Sequence, residues 1–265
     1  MVFLSMSEKL NIAFIQANLK WEDSEANRSL FSGEIDKISK ETDLIILPEM
    51  FTTGFSMNAE KLAEPTRGAT LEWMQQQAKK KKSAVTGSVI ISENDNYYNR
   101  LFFVFPDGNY KLYDKRHTFT LAKEDETYTA GRQRLIVEYK GWKICPLICY
   151  DLRFPVWARN TEDYDLLIYV ANWPKKRVNA WDTLLKARAI ENMSYCIGVN
   201  RTGEDGDGYV YNGHSAAYDC LGKELTPLDR SEEFTAEISI DKASLYETRK
   251  KLKFLQDRDT FSLDL

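Results

Sequence analysis

The sequence predicts an α/β fold with a mixed sheet, on three observations. Short apolar runs at 44–47 and 166–171, and one at 142–148 whose only charge is Lys143, read as strands buried on both faces. Segments with apolar residues at helical spacing, 23–40, 68–82 and 178–193, alternate with them. Pro106-Asp107-Gly108-Asn109 lies between two strand-like stretches, and an Asp-Gly pair so placed predicts a hairpin, which adds antiparallel pairing.

Taken in order, residues 10–17 are apolar and β-branched enough for a first strand, and 23–40 follow as a helix carrying Leu30, Ile35 and Ile38. Residues 44–47 make the next strand. The segment 68–82 spaces Leu71, Trp73, Met74 and Ala78 as a helix does, and its Lys79–Lys82 run reads as a solvated helix end favoured by the macrodipole. Residues 84–91 are a strand, and 98–105 with 110–113 form the hairpin. After strand 142–148, residues 151–160 are read as a short helix broken by Pro155. Strand 166–171, helix 178–193 (Trp181, Leu184, Leu185, Ala187, Ala189) and strand 195–200 complete the regular part. Residues 203–208 read as flexible, 214–218 and 234–240 as strands, and 242–250 as a last helix. No repeat, low-complexity segment or linker marks a boundary, so one domain over 1–265 is the expectation.

Composition narrows the function. The chain of 265 residues is 43% hydrophobic and 29% charged, ordinary for a globular protein. A net charge of −4, with basic residues spread along the chain, argues against nucleic acid. No stretch approaches the roughly 20 apolar residues that span a bilayer, and the first ten residues are too short and too charged for a signal peptide. A cytoplasmic protein without a membrane partner is expected. Cys145, Cys149, Cys196 and Cys220 form no CxxC pair and lie in apolar contexts, so buried free thiols are expected rather than disulfides. With His117 and His214 the only histidines, an imidazole–thiolate zinc site has too few spaced ligands, and no metal is expected.

Three apolar or hairpin stretches end on residues suited to amide chemistry: Glu49 after 44–47 and Pro48, Lys115 after the hairpin, and Cys149 after 142–148. Carboxyl ends of strands in open α/β sheets are where ligands bind. Each residue reads two ways alone. Cys149 is a core cysteine, or a nucleophile at a sharp turn whose following N–H, that of Tyr150, faces an oxyanion. Glu49 is a cap or surface carboxylate, or the general base a thiol needs where no histidine sits nearby in sequence. Lys115 is a surface lysine at a hairpin end, or a catalytic cation. Asp151 reads as a cap of the local backbone, Arg188 and Glu191 as an i,i+3 pair, and Cys145 as a packing residue.

Leu47-Pro48-Glu49-Met50-Phe51, Tyr113-Asp114-Lys115-Arg116-His117 and Cys149-Tyr150-Asp151-Leu152-Arg153-Phe154-Pro155 together resemble the glutamate, lysine and cysteine motifs of the nitrilase, or carbon–nitrogen hydrolase, superfamily, in that family's order and over about residues 10–240. Arg116-His117, Ala171-Asn172-Trp173-Pro174, Trp181 and the 187–192 segment look most like its omega-amidase branch. The resemblance implies a four-layer α-β-β-α sandwich with mixed sheets, a homodimer, and neither metal nor organic cofactor. It implies Glu49 as base, Lys115 as the cation on the tetrahedral intermediate, Cys149 as nucleophile, and a second glutamate that positions substrate, Glu124 with Glu126 as the alternative. It further implies a small-molecule amide substrate, the short α-keto acid amides 2-oxoglutaramate and 2-oxosuccinamate, cleaved through a thioester with release of ammonia. Such a substrate is an anion, for which Arg153 or Arg177 would supply a cation, while Phe119, Tyr128 and Trp173 would wall the pocket and Tyr150 would contact the substrate. On this reading Lys115→Ala removes turnover and leaves the fold intact. A nitrilase or N-carbamoyl amine hydrolase would use the same residues, and a non-enzymatic binding protein could keep the scaffold.

Overall fold

The computed structural model describes residues 9–226 and 230–263. Residues 1–8, most of the stretch weighed as a signal peptide, lie outside these. In chain order the elements are β1 (Lys9–Gln16), α1 (Ser24–Lys37), β2 (Leu44–Ile46), α2 (Ala59–Leu62), β3 (Glu64–Pro65), α3 (Ala69–Lys81), β4 (Ala84–Glu93), β5 (Asn96–Val104) and β6 (Tyr110–Asp114). They continue as α4 (Glu124–Thr127), β7 (Val137–Tyr139), β8 (Trp142–Ile148), α5 (Pro155–Ala158), β9 (Leu166–Val170), α6 (Val178–Glu191), β10 (Tyr195–Val199), β11 (Thr202–Glu204), β12 (Val210–Asn212), β13 (Ala216–Tyr218), β14 (Phe234–Asp241) and α7 (Lys242–Leu252).

A seven-stranded sheet runs β14-β1-β2-β4-β5-β6, with β3 on β4, and a five-stranded sheet runs β13-β10-β9-β8-β7. Both are mixed: β1, β2 and β4 are mutually parallel, as are β8, β9 and β10, while the hairpins and β14 run antiparallel. Strand alternation sorts side chains to opposite faces. Ile12, Phe14, Leu44, Ile46, Leu101 and Phe103 meet the second sheet through Ile144, Leu166, Ile168 and Val199. Their neighbours Ala13, Ile15, Ile45, Phe102 and Val104 face α1 and α3, which contribute Phe31 and Ile35, and Leu71, Met74 and Ala78. The second sheet is covered by α6 through Trp181, Leu185 and Ala189, at i, i+4 and i+8. Burying a side chain such as Leu185 stabilises by about 1.5–3 kcal/mol. The layers are therefore helix, sheet, sheet, helix, as expected.

The Lys79–Lys81 segment closes α3 and Lys82 takes the left-handed C-cap, φ 57°. Pro155 opens α5 rather than breaking a helix, because a missing N–H costs nothing in a first turn; the residues before it form a separate 3-10 turn, Cys149–Arg153. Residues 203–208, expected to be flexible, belong to the β11–β12 hairpin. There the Asp205 carboxylate accepts from the N–H groups of Asp207 (3.0 Å) and Tyr209 (2.9 Å) and from the Tyr211 hydroxyl (2.7 Å). Among the described residues no helix is long and apolar enough to cross a membrane.

Candidate active site

Parallel strands carry their carboxyl ends to one edge, so the residues just past β2, β8 and β9 meet. These are Glu49, Cys149 and Asn172. The turn after β2 is held on β4 by Leu47 N–H to Thr86 O (2.8 Å), Met50 N–H to Ser88 Oγ (2.9 Å) and Phe51 N–H to Ser88 O (3.1 Å). Gly87 makes this approach possible, since a Cβ there would lie 2.9 Å from Leu47 Cβ and 3.0 Å from Phe51 Cδ1. Lys115 follows β6 and its N–H reaches Asn99 O at 3.0 Å. Glu124 is the first residue of α4.

The Lys115 ammonium donates to Glu49 Oε1 and to both oxygens of Glu124, each at 2.9 Å. Asn99 Nδ2 donates to Glu49 Oε1 (2.8 Å) and Glu124 Oε1 (3.4 Å), and Phe119 N–H donates to Glu124 Oε2 (2.6 Å). Asn172 holds Glu49 twice, N–H to Oε2 at 2.8 Å and Nδ2 to the backbone carbonyl at 2.6 Å. Glu49, Lys115 and Glu124 are buried to 1% exposure or less, and Cys149 is 9% exposed. One cation thus faces two carboxylates with almost no exposure to bulk solvent.

Burial pulls the Lys115 ammonium down, but Glu124 and Glu49 outweigh it, and its proton is held more tightly than on an ordinary lysine. Burial raises the Glu124 carboxyl against the pull of Lys115, with Glu49 adding to the rise. Burial also lifts the Cys149 thiol well above its usual range, and the Glu49 charge lifts it further against Lys115. The Cys149 thiol therefore holds its proton more tightly than an ordinary cysteine, with the Glu49 carboxylate beside it.

Cys149 leaves β8 with φ 43°, a left-handed conformation that costs a non-glycine residue about 1–2 kcal/mol. The turn aims Sγ into a cavity of ≈ 280 Å³. Phe119, Tyr150, Arg153 and Trp173, all expected at the substrate, line it together with Arg177, Asn172 and Tyr211; Tyr128, also expected in the wall, packs instead with Met50 and Ile90 and donates its hydroxyl to Ser56 O at 2.5 Å. Arg153 stacks over the Trp173 ring at 4.9 Å and Arg177 over Phe119 at 5.0 Å. Among the described residues neither guanidinium forms an ion pair. Glu126, the alternative to Glu124, points away: its side chain is 63% exposed and pairs with Lys123 at 3.5 Å.

Sequence reasoning passed over Asn99 and Tyr211 and quoted Asn172 in a motif without giving it a role. Asn172 follows an apolar run as Cys149 does, and the same end-of-strand signal could have found it. Asn99 stands inside β5 between Tyr98 and Arg100, where no local pattern marks it.

Residues 11–250 match the carbon–nitrogen hydrolase family. The chain belongs to that family. This carbon–nitrogen hydrolase is an amidohydrolase, and the relatives that follow put it in the omega-amidase branch of the nitrilase superfamily. It is 42% identical over 256 residues to omega-amidase YafV of Yersinia enterocolitica, covering 96% of this chain and 98% of that protein. It is 33% identical over 255 residues to 2-oxoglutaramate amidase of Bacillus subtilis, covering 94% and 97%. Among solved structures it superimposes with a TM-score of 0.94 on XC1258 from Xanthomonas campestris, a CN-hydrolase superfamily protein with an arsenic adduct in the active site, at 42% identity over 97% and 99% of the two chains.

Proposed function

We propose that this hydrolase cleaves the terminal amide of short α-keto acid amides, 2-oxoglutaramate and 2-oxosuccinamate, to the acid and ammonia. The observation that carries the substrate class is the pair of guanidiniums, Arg153 and Arg177, that line the nucleophile's cavity without a carboxylate of their own. A buried or half-buried cation with no partner favours an anionic ligand. The substrate carboxylate therefore sits toward Arg153, and the amide reaches Cys149.

Glu49 takes the Cys149 proton as sulfur attacks the amide carbon, and the developing oxyanion is held by the Lys115 ammonium and the Tyr150 N–H. Tyr150 is the second residue of its 3-10 turn, where N–H groups lack an acceptor within the turn. Glu49 passes its proton to the amide nitrogen, the carbon–nitrogen bond breaks, ammonia leaves and a thioester remains. Water, deprotonated by Glu49, attacks the thioester; the thiol leaves with its proton restored. Glu124 keeps Lys115 in place through both carboxylate oxygens. Glu124→Gln is expected to cut kcat by about 10²-fold, whereas Glu126→Gln leaves steady-state turnover near wild type; the reverse ranking would move the positioning role to Glu126.

Ammonia release from 2-oxoglutaramate, 2-oxosuccinamate, glutamine, a simple nitrile and an N-carbamoyl amino acid tests the proposal, with Cys149→Ala and Arg153→Leu beside the wild type. Turnover confined to the keto amides, lost in Cys149→Ala and raised in KM by about 10-fold or more in Arg153→Leu, is the expected result. Preference for the nitrile or carbamoyl compound would retire the keto-amide assignment.

A further inference from the structure

Asp151, two residues past Cys149, has a fully buried carboxylate that accepts four hydrogen bonds. Oδ2 takes the Ile148 N–H (3.0 Å) and the Tyr113 hydroxyl (2.7 Å); Oδ1 takes the His117 N–H (3.0 Å) and the His117 ring Nδ1 (2.8 Å). Tyr113 and His117 flank Lys115 by two residues on either side. The Tyr113 oxygen also receives Arg116 N–H (3.2 Å) and Trp157 Nε1–H (3.0 Å). The His117 ring lies flat on Phe154, with centroids 3.7 Å apart and an interplanar angle of 4°. None of Tyr113, His117 or Asp151 lines the cavity.

Lys115 hangs from the seven-stranded sheet and Cys149 from the five-stranded one. Most of what joins the sheets is apolar packing, which has no direction, and the Asn172–Glu49 bonds fasten the second sheet to Glu49 rather than to the lysine loop. A fully satisfied buried polar network does have direction, and it fixes the distance between groups on two separate elements. We infer that His117 and Asp151 are positioning residues forming a latch, which sets the Lys115 ammonium against the Cys149 sulfur by tying the lysine loop to the nucleophile turn. They touch neither substrate nor reacting atoms, and they act through the two residues they connect. The inference rests on the proposed roles of Lys115 and Cys149.

The discriminating variants are His117→Asn, whose amide nitrogen overlays the ring Nδ1 and can donate to Asp151, and His117→Leu, which keeps contact with Phe154 and the backbone N–H bond to Asp151 but has no side-chain donor. With 2-oxoglutaramate, His117→Leu is expected to lower kcat by about 10²-fold at nearly unchanged KM, the scale of a 1 Å misplacement of reacting groups. His117→Asn should recover kcat to within about 5-fold of wild type, with similar melting temperatures for both variants. Equal kcat losses in the two, a loss that tracks the melting temperature, or a rise in KM at constant kcat would each overturn the latch. Failure of the underlying reading is visible separately, as wild-type turnover that survives in Cys149→Ala. Asp151→Asn, which sets an amide N–H against a donor whichever way it turns, should match His117→Leu if it folds; the two His117 variants decide the matter without it.

Discussion

Replacing Lys115 by alanine is expected to abolish turnover and to destabilise the protein as well. The catalytic loss follows from removing an oxyanion donor, about 10²–10³ in kcat. The stability loss corrects the expectation that the fold would be untouched. Lys115 is the ammonium between Glu49 and Glu124, both fully buried, and without it two carboxylates face each other in a dry site. Breaking a buried ion pair from one side typically costs about 3–5 kcal/mol. For a chain of this size that is roughly 2–4 °C of melting temperature per kcal/mol. Burial already raises the Glu124 carboxyl, and removing Lys115 removes the cation that opposes the rise. A carboxyl that binds its proton more tightly folded than unfolded loses stability as pH rises through the folded value, so the variant should recover toward wild type as pH falls from 8 to 5.5. Melting curves at the two pH values read this directly; a deficit that does not shrink on acidification would mean that the cluster is not held by charge.

Glu49→Gln separates two things the carboxylate does. Turnover should fall by about 10²–10⁴, the usual contribution of a general base. The thiol should move the other way. Burial first, and the Glu49 charge next, keep the Cys149 proton on well above the ordinary range, so wild-type alkylation by iodoacetamide should still be climbing above pH 9. Glutamine keeps the shape, removes the charge and leaves Lys115 pulling downward, which shifts the alkylation profile to lower pH. The result is a better thiolate in a dead enzyme. A profile unmoved or shifted upward would mean that Glu49 does not act on the thiol through its charge.

Glu49, Lys115 and Cys149 were legible because each breaks an apolar or hairpin stretch at its end, where a change of residue type coincides with a change of structure. Arg153, Tyr150, Phe119 and Trp173 could be placed near the pocket by their closeness to those motifs. Asn99 was hidden because its job is set by tertiary contact: it donates to Glu49, 50 residues before it in sequence, and Glu124, 25 residues after it. Asp151 was read as a local cap, and it does accept the Ile148 N–H, but its bonds to Tyr113 and His117 span 38 and 34 residues. The strands β3 and β7, of two and three residues, are too short to carry a period. Residues 203–208 looked mobile because their composition is rich in glycine and acid, which conceals how many donors one aspartate can gather.

That hairpin bears on how such a pocket can change. Asp205 collects its bonds from Asp207, Tyr209 and Tyr211, all within the same hairpin, while Asp207, Tyr209 and Tyr211 form part of the cavity wall. The tip is thus knotted to itself rather than to the charged cluster at the cavity floor. Insertions or exchanges there can reshape the mouth for longer or bulkier acyl chains while Glu49, Lys115, Glu124 and Cys149 keep their places, so the appetite of the enzyme can drift over a reaction that stays constant.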